Sequence, residues 1–175
     1  MDLKKYIRSI QDYPKKGILF RDITTLIKDS GAFKETINQM SKILRELNFD
    51  KIVAIESRGF IFASALAYNL SKPFILLRKQ NKLPAERFSV EFQLEYGKSI
   101  LEIHKDSIGP KEKVVIIDDL IATGGTAEAG AKLVEKSKGE VLAFIFVINL
   151  FDLGGKKLLE DKGYKTFSLV DFPGH

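Results

Sequence analysis

Short apolar runs alternate with helical stretches along most of the chain. The apolar runs are residues 51–55, 74–77, 114–117, 141–150 and 166–170. The helical stretches are residues 60–70, 126–136 and 156–162. Strands that are buried on both faces lose the alternation of polar and apolar residues, and strand–helix alternation is typical of a parallel sheet. The pattern therefore predicts an α/β fold with a mostly parallel twisted sheet flanked by helices.

Two stretches near the N-terminus also have helical periodicity. The first has apolar residues at Leu3, Tyr6, Ile7 and Ile10. The second has them at Phe33, Ile37, Met40, Leu44 and Leu47. We expect a short amphipathic helix at the first and a longer helix at the second, whose apolar stripe packs on the core. Between them, Pro14 and Gly17 predict a turn or loop.

The segment from residue 78 to residue 105 departs from this pattern. Apolar and polar residues alternate over residues 88–94, apolar residues recur over 100–103, and Gly97 lies near the expected turn. This alternation is typical of two antiparallel strands. Because long insertions in compact domains are often functional lids, we expect a two-stranded flap over a binding site.

Length and composition limit the class of protein. The 175 residues suit one domain, and 45% hydrophobic with 29% charged residues is a globular balance. No apolar run approaches the roughly 20 residues that span a bilayer. The first residues lack the apolar core of a signal peptide. We therefore expect a cytoplasmic protein without a membrane partner.

The residues that are absent or rare exclude several chemistries. The chain has no cysteine, which excludes disulfides, thiolate metal sites and a cysteine nucleophile. Its two histidines, His104 and His175, argue against a multi-histidine metal site or a Ser-His-Asp triad. A net charge of +5 suits a polyanionic partner, either a nucleic acid or a phosphorylated small molecule. Charge alone does not choose between a polyanion site and a solvated surface.

Residues 114–126 combine a buried strand, two acids and a glycine-rich turn. The strand delivers Asp118 and Asp119 to the carboxyl edge of the sheet, where ligands bind in open α/β folds. The residues that follow and lead into the next helix are Ala122, Thr123, Gly124, Gly125 and Thr126. Glycines let backbone N–H groups surround an anion, and a helix N-terminus favours negative charge. The segment predicts a phosphate-binding loop, although it lacks the Gly-Lys-Ser/Thr ending of a Walker A motif.

The two acids beside this loop have two chemical uses. They could coordinate Mg²⁺, or they could accept hydrogen bonds from the vicinal hydroxyls of a ribose. A ribose 5-phosphate ligand would account for both the acids and the loop. A purely structural corner with an Asp N-cap would account for only one acid and one glycine.

Residues 114–126 resemble the phosphoribosyl pyrophosphate (PRPP) binding motif of the type I phosphoribosyltransferases. The segments similar to the adenine-specific branch of that family are residues 17–24, 56–60, 78–79, 82–84 and 94–98. The matches follow the family's order and cover nearly the whole chain. The resemblance implies the type I phosphoribosyltransferase fold over residues 1–175. It further implies that residues 1–30 form a base-covering recognition segment and residues 78–105 the catalytic flap.

The resemblance also implies a role for each matched residue around PRPP. The residues expected at the 5-phosphate are Ala122, Thr123, Gly124, Gly125 and Thr126, and those expected at the ribose hydroxyls are Asp118 and Asp119. The residues expected at the pyrophosphate are Glu56, Ser57, Arg58, Lys79 and Lys82, with the Glu56–Ser57 peptide in the cis form. Mg²⁺ would be held largely by PRPP oxygens and water, with the two aspartates as the protein groups that could also coordinate it.

Adenine recognition and proton transfer are assigned by the same resemblance. Backbone groups of Leu19 and Arg21 would read the edge of the base, while Phe20 and Leu120 would cover its faces. On the flap, Glu95 would act as acid, base or charge stabiliser, with Tyr96 beside it. The other flap carboxylates are Glu86, Glu91 and Glu102. The residues alone do not choose among these acids, and the Leu-Glu-Tyr-Gly match selects Glu95.

The implied activity is the conversion of adenine and PRPP to AMP and pyrophosphate by a homodimer, with no nucleic acid as partner. Three alternatives remain. The protein could transfer phosphoribose to another purine base, or it could be a PRPP-sensing regulator that binds nucleic acid. A Mg²⁺-dependent phosphohydrolase built on Asp118 and Asp119 is the third, although the following loop offers no nucleophile.

Overall fold

A computed structural model describes residues 1–94 and 97–175. The strands are β1 (Arg8–Gln11), β2 (Leu19–Asp22), β3 (Lys51–Ile55), β4 (Phe74–Lys79), β5 (Arg87–Gln93), β6 (Lys98–His104), β7 (Lys113–Ile121), β8 (Glu140–Leu150) and β9 (Lys165–Phe172). The helices are α1 (Thr24–Lys28), α2 (Ser30–Arg45), α3 (Arg58–Leu70), α4 (Gly125–Lys136) and α5 (Gly155–Asp161). None of the helices in the described ranges is both long and apolar enough to cross a membrane.

The central sheet confirms the predicted α/β architecture. Among the described residues, its strand order is β5-β6-β4-β3-β7-β8-β9. The pairs β4–β3, β3–β7, β7–β8 and β8–β9 are parallel. Because helices follow β3, β7 and β8, both faces of the sheet are covered, which explains the unbroken apolar runs in the sequence.

Alternate residues of the central strand β7 point into two apolar clusters. Val115 and Ile117 join a cluster on the side of α2 and α3. Val114 and Ile116 join a second cluster on the side of α4 and α5. Burying both faces fixes the position of β7, and therefore the position of the acids at its carboxyl end.

The predicted N-terminal helix is wrong. A 3-10 turn covers Leu3–Tyr6, and the chain then enters β1, which pairs with β2 in an antiparallel ribbon. Ile10 lies opposite Phe20 in that ribbon, so its apolar side chain serves a strand pair and not a helix face. The loop predicted after Pro14 is present up to residue 18, but the sequence pattern did not indicate that β2 begins at residue 19. The spacing of four apolar residues cannot distinguish a short helix from a strand whose partner lies ten residues away.

The flap strands are confirmed, and they continue the central sheet. β5 and β6 pair along their whole length, and β6 is also antiparallel to the end of β4. Residues 78–79, predicted as the start of the flap, belong to β4. Lys136 of α4 donates to the Ser89 carbonyl at 3.0 Å, which holds the base of the flap against the helix.

Candidate active site

The carboxyl ends of β3 and β7 meet at one cleft. β3 leads into Glu56, Ser57 and the start of α3, and β7 carries Asp118 and Asp119. The cleft has a volume of about 370 Å³. The predicted site residues that line it are Glu56, Ser57, Arg58, Lys79, Asp118, Asp119, Leu120, Ala122, Thr123, Gly124, Gly125 and Thr126. The structure therefore brings three separated segments of the sequence to one place.

The turn between β7 and α4 is shaped to receive an anion. Gly124 has a φ of +90°, a conformation that side chains disfavour, and it immediately precedes the helix. No side chain of the described residues caps this end of α4. The first-turn amides and the positive end of the helix dipole consequently face the cleft that Thr123 and Thr126 line.

The two acids of β7 differ in environment. Asp119 is buried, and its Oδ2 atom lies 2.6 Å from Nε of Arg58. Asp118 accepts a hydrogen bond from the Asp119 backbone N–H at 2.8 Å. Burial and the neighbouring Asp119 carboxylate raise the pKa of the Asp118 carboxyl well above its ordinary value. The pair therefore combines one ion-paired acid with one that resists ionisation.

Arg58 is the cation nearest to this pair. Burial would lower the pKa of its guanidinium, but the carboxylates of Asp119 and Asp118 outweigh that effect and raise the pKa. The side chain remains about half exposed and lines the cleft, so one edge of the guanidinium is available to a ligand anion.

Glu56 binds protein cations. Its carboxylate accepts from Nε of Arg78 at 2.8 Å and from Nζ of Lys82 at 2.6 Å. Burial would raise the pKa of Glu56, but these hydrogen bonds and the one from the Lys79 backbone outweigh it and hold that pKa below its ordinary value. The Glu56–Ser57 peptide is cis, as the sequence resemblance implies.

Lys79 and Lys82, predicted together, occupy different positions. Lys79 lines the cleft, and its ammonium makes no hydrogen bond or ion pair with the described residues. Lys82 is not among the lining residues of the described chain, because its ammonium is held by Glu56. Lys79 is therefore the better placed of the two to meet an anion in the cleft.

The base-recognition segment lies beside the cleft. The Phe20 ring lies 5.6 Å from the Arg58 guanidinium, and Leu120 lines the cleft. The Arg21 side chain is buried, donating to Ser9 Oγ at 2.5 Å and to the Pro173 carbonyl at 2.9 Å. Its guanidinium is thus committed to the fold, and burial lowers its pKa. Leu19, Phe20 and Arg21 are not among the residues of the described chain that line the cleft itself.

The flap forms one wall of the cleft. The sequence pattern predicted the flap but not which of its residues would line the site. The flap residues that line it are Phe92, Leu94, Ser99 and Leu101. The alternation over residues 88–94 contained the signal, because residues two apart in an extended segment, such as Phe92 of β5 and Leu94 just after it, point to the same side. Three residues were predicted to be catalytic: Arg58 lines the cleft, whereas Glu95 and Tyr96 of the flap lie outside the described residues.

The described residues contain no cluster of three or more acids and histidines that could hold a metal ion. Asp118 and Asp119 are the only acids of β7 at the cleft, and Asp119 is already paired with Arg58. This donor set fits an ion whose remaining ligands come from a phosphorylated substrate and water.

Known proteins resemble this chain over most or all of its length. The family model described as phosphoribosyl transferase domain matches residues 24–174. A protein of Pelagibacter ubique named adenine phosphoribosyltransferase is 66% identical over 175 residues, covering 100% of each chain.

Solved structures give the same relationship. The crystal structure of adenine phosphoribosyltransferase from Thermoanaerobacter pseudethanolicus aligns with a TM-score of 0.94 at 50% identity, covering 98% of each chain. The Saccharomyces cerevisiae adenine phosphoribosyltransferase, crystallised with an imino-altritol bisphosphate and adenine, aligns with a TM-score of 0.89 at 36% identity and 97% coverage of each chain.

Proposed function

The chain belongs to the phosphoribosyl transferase domain family, and we propose that it converts adenine and PRPP to AMP and pyrophosphate in purine salvage. The observation that carries this proposal is the cleft where Asp118, Asp119 and the turn at Gly124 meet Arg58. The cleft offers hydrogen-bond acceptors for the hydroxyls of a ribose, and on either side of these acceptors it offers donors for phosphate groups.

The 5-phosphate and ribose occupy the β7–α4 side of the cleft. Thr123, Gly124, Gly125 and Thr126 donate to the phosphate through amides and hydroxyls. Asp118 and Asp119 accept from the ribose hydroxyls. Because the acids and the loop are adjacent in sequence, the sugar is held at both ends by one rigid corner.

The pyrophosphate lies on the β3 side, near Arg58 and Lys79. In the reaction the bond from ribose C1 to the pyrophosphate oxygen breaks, and adenine N9 bonds to C1 while N9 loses its proton. Positive charge develops on the sugar and negative charge on the leaving group. Arg58 and Lys79 stabilise the departing anion, a form of electrostatic catalysis. Glu56 forms ion pairs with Lys82 and Arg78 nearby.

Adenine enters from the β2 side. Backbone groups of Leu19 and Arg21 read its edge, and Phe20 and Leu120 cover its faces. The buried Arg21 side chain supports this arrangement, because it ties β2 to Ser9 and to Pro173, the residue that follows β9. Backbone groups can pair with only one pattern of hydrogen-bond donors and acceptors on the base. A base with a different pattern leaves some of these backbone groups without a hydrogen bond.

Proton transfer and closure belong to the flap. We place Glu95 at the N9 proton of adenine and Tyr96 beside it, on the strength of the motif in the sequence. The flap wall formed by Phe92 and Leu94 excludes water, which would otherwise hydrolyse PRPP.

Mg²⁺ is the proposed cofactor. When bound with PRPP, the ion neutralises phosphate charge and orients the pyrophosphate for departure. Asp118 and Asp119 are the protein carboxylates that would approach it, and the rest of its coordination would come from PRPP oxygens and water.

A second copy of the chain is the proposed partner. Tyr68 on α3 is 91% exposed, and Leu76 is an exposed residue in the interior strand β4. On the same side of the sheet, Phe60 contacts Phe74 with ring centroids 5.9 Å apart. An exposed apolar surface of this kind is typical of a subunit interface. Light scattering tests it: we expect twice the chain mass for the native protein and a shift towards monomer in Tyr68→Lys, and a monomeric native protein would refute it.

The activity is tested by incubating the purified protein with PRPP, Mg²⁺ and adenine and separating the nucleotides. We expect AMP and pyrophosphate in equal amounts. The double variant Asp118→Asn/Asp119→Asn, folded by circular dichroism, is expected to form almost none. Release of inorganic phosphate from simple phosphoesters, without AMP, would favour a phosphohydrolase, and nucleic-acid binding without turnover would favour a regulator.

A further inference from the structure

A buried carboxylate in the flap has no part in the mechanism above. Glu102 of β6 is only 2% exposed, although the two flap strands, β5 and β6, lie at one edge of the sheet. Burial would raise the pKa of Glu102, but hydrogen bonds from Ser89, Asn81 and Arg87 outweigh it and hold that pKa below its ordinary value. A buried ionised carboxylate is costly unless it is fully hydrogen-bonded, so its partners indicate what it holds together.

Two of its partners lie in the other flap strand. Nε of Arg87 lies 3.1 Å from Oε2 of Glu102, and the Ser89 hydroxyl donates to the same oxygen. Ser89 is also the direct register partner of Glu102 in the β5–β6 ladder. One carboxylate oxygen therefore fixes the two flap strands to each other at their base.

The third partner lies outside the flap strands. Oε1 of Glu102 accepts the backbone N–H of Asn81 at 2.8 Å. Asn81 lies in the turn that follows β4, with a φ of +68°. Lys79, which lines the cleft, is the last residue of β4 and leads into this turn, and Lys82, which is bound to Glu56, follows it. We call residues 79–82 the basic turn.

Two carboxylates thus hold the basic turn. Glu56, at the end of β3, binds the backbone of Lys79 and the ammonium of Lys82. Glu102, in the flap, binds the backbone of Asn81. The strand pairing of Arg78 with Glu102 and of Lys79 with Leu101 brings the flap base directly alongside the turn.

We propose that Glu102 is a positioning residue that couples the base of the flap to the basic turn and so sets the position of Lys79 at the pyrophosphate subsite. The inference rests on the proposed function of the cleft. Glu102 does not touch the substrate. Its effect reaches the anion through the shape of the turn. Glu102 should therefore affect the binding of pyrophosphate, free or as part of PRPP, and not the subsites for the base or the 5-phosphate.

The flap provides a matched control. Glu91 of β5 is also a flap carboxylate, but its side chain is 57% exposed and its recorded partner is Lys98 at 3.4 Å. Glu91 shares a surface groove with Lys79 and Gln80 but makes no hydrogen bond to the basic turn among the described residues, so Glu91→Gln removes the same charge from the same hairpin without breaking the contact that Glu102 makes. Glu102→Gln keeps the size of the side chain but loses the charge that strengthens the bonds from Arg87 and Asn81.

The test is calorimetric titration of the whole protein with AMP and, separately, with pyrophosphate and Mg²⁺. AMP fills the base and 5-phosphate subsites, whereas pyrophosphate reports on the basic turn. We expect Glu102→Gln to raise the Kd of pyrophosphate by about tenfold while the Kd of AMP stays within about twofold of the wild type. Glu91→Gln should leave both values unchanged. The KM of PRPP should rise in Glu102→Gln more than the KM of adenine.

Two results would overturn the inference. One is an unchanged pyrophosphate Kd in Glu102→Gln; the other is an equal loss of AMP and pyrophosphate binding, which would indicate general damage to the cleft. Glu102→Asp, one methylene shorter with its charge retained, is measured in the same way if Glu102→Gln does not fold. A wild-type protein that binds both ligands but makes no AMP would refute the proposed function and leave the coupling to be judged on binding.

Discussion

Nε of Arg58 lies 2.6 Å from Oδ2 of Asp119, and this ion pair joins the start of α3 to the end of β7. Each of the two groups is the proposed partner of a different part of PRPP. Without substrate they neutralise each other across the cleft; in the proposed substrate complex, Asp119 would accept from the ribose and Arg58 would face the pyrophosphate. The pair therefore keeps both groups oriented before the substrate arrives.

Replacing each of the two neighbouring aspartates by asparagine should change the stability of the protein in opposite directions. Asp119→Asn leaves Arg58 without its buried counter-ion, so it should lower stability and reduce kcat/KM for PRPP by about 100-fold. Asp118→Asn should also reduce kcat/KM but should raise the free energy of unfolding, because it removes a carboxyl that resists ionisation. Urea denaturation and steady-state kinetics measure both effects.

The pH dependence gives the control for Asp118. Its folded pKa is raised, so the native carboxyl contributes stability at low pH that is lost as pH rises through that pKa. The advantage of Asp118→Asn over the wild type should consequently be larger at pH 7 than at pH 4. An advantage that is greater at pH 4 would contradict the assignment.

Glu56 should show the reverse dependence on pH. Its folded pKa is lowered, so the native carboxylate contributes stability above the ordinary glutamate pKa, and this is lost as pH falls through the folded value. The stability difference between the wild type and Glu56→Gln should be constant near neutrality and narrow below about pH 4.3. Denaturation at a series of pH values tests this, and a difference that widens in acid would rule it out.

Gly59 sets the approach of α3 to β7. A Cβ atom there would lie 2.8 Å from the Ile117 carbonyl oxygen and 3.1 Å from Oδ1 of Asp118. Gly59→Ala should therefore cost about 1–3 kcal/mol of unfolding free energy and lower kcat/KM for PRPP by displacing Arg58. Gly130→Ala is the matched helical control, because its new Cβ would meet the tip of the Leu77 side chain at 3.1 Å and the Ile116 side chain at ordinary van der Waals distances, and no backbone atom. Equal effects of the two substitutions would refute the explanation.

Glu95 should act on the chemical step. Glu95→Ala should reduce kcat by about 100-fold while leaving the Kd of PRPP close to the wild-type value, since general acid–base groups contribute on that scale. Single-turnover kinetics and PRPP titration separate the two quantities. Glu91→Ala, at a carboxylate of β5 four positions earlier in the chain, serves as the control. A wild-type kcat in Glu95→Ala would remove Glu95 from the mechanism.

The sequence predicted the parallel part of the sheet well, because strands such as β7 and β8 are buried on both faces and appear as unbroken apolar runs. It also predicted that Asp118, Asp119 and the glycine-rich turn would lie at the carboxyl edge of the sheet, where ligands bind in open α/β folds, whereas only the family resemblance assigned Arg58 to the same ligand. The β1–β2 ribbon was missed because Ile10 and Phe20 have no distinctive local pattern, and only their pairing makes them strand residues.

The partners of charged side chains were equally inaccessible to the sequence. Lys82 follows Lys79 closely in the chain, yet Glu56 holds Lys82 while Lys79 lines the cleft. Likewise Glu91 and Glu102 are similar in the sequence, but one is exposed and the other buried among three donors. These differences arise from long-range packing, which local spacing does not encode.

The most direct test of the account is the ratio of kcat/KM for adenine to that for hypoxanthine, measured with saturating PRPP and Mg²⁺. Guanine and xanthine complete the panel. Recognition of the base edge by backbone groups predicts a ratio on the order of 10⁴, because the wrong base leaves buried polar groups unpaired. A ratio near one, or preferential formation of another nucleotide, would contradict the assignment of this cleft to adenine.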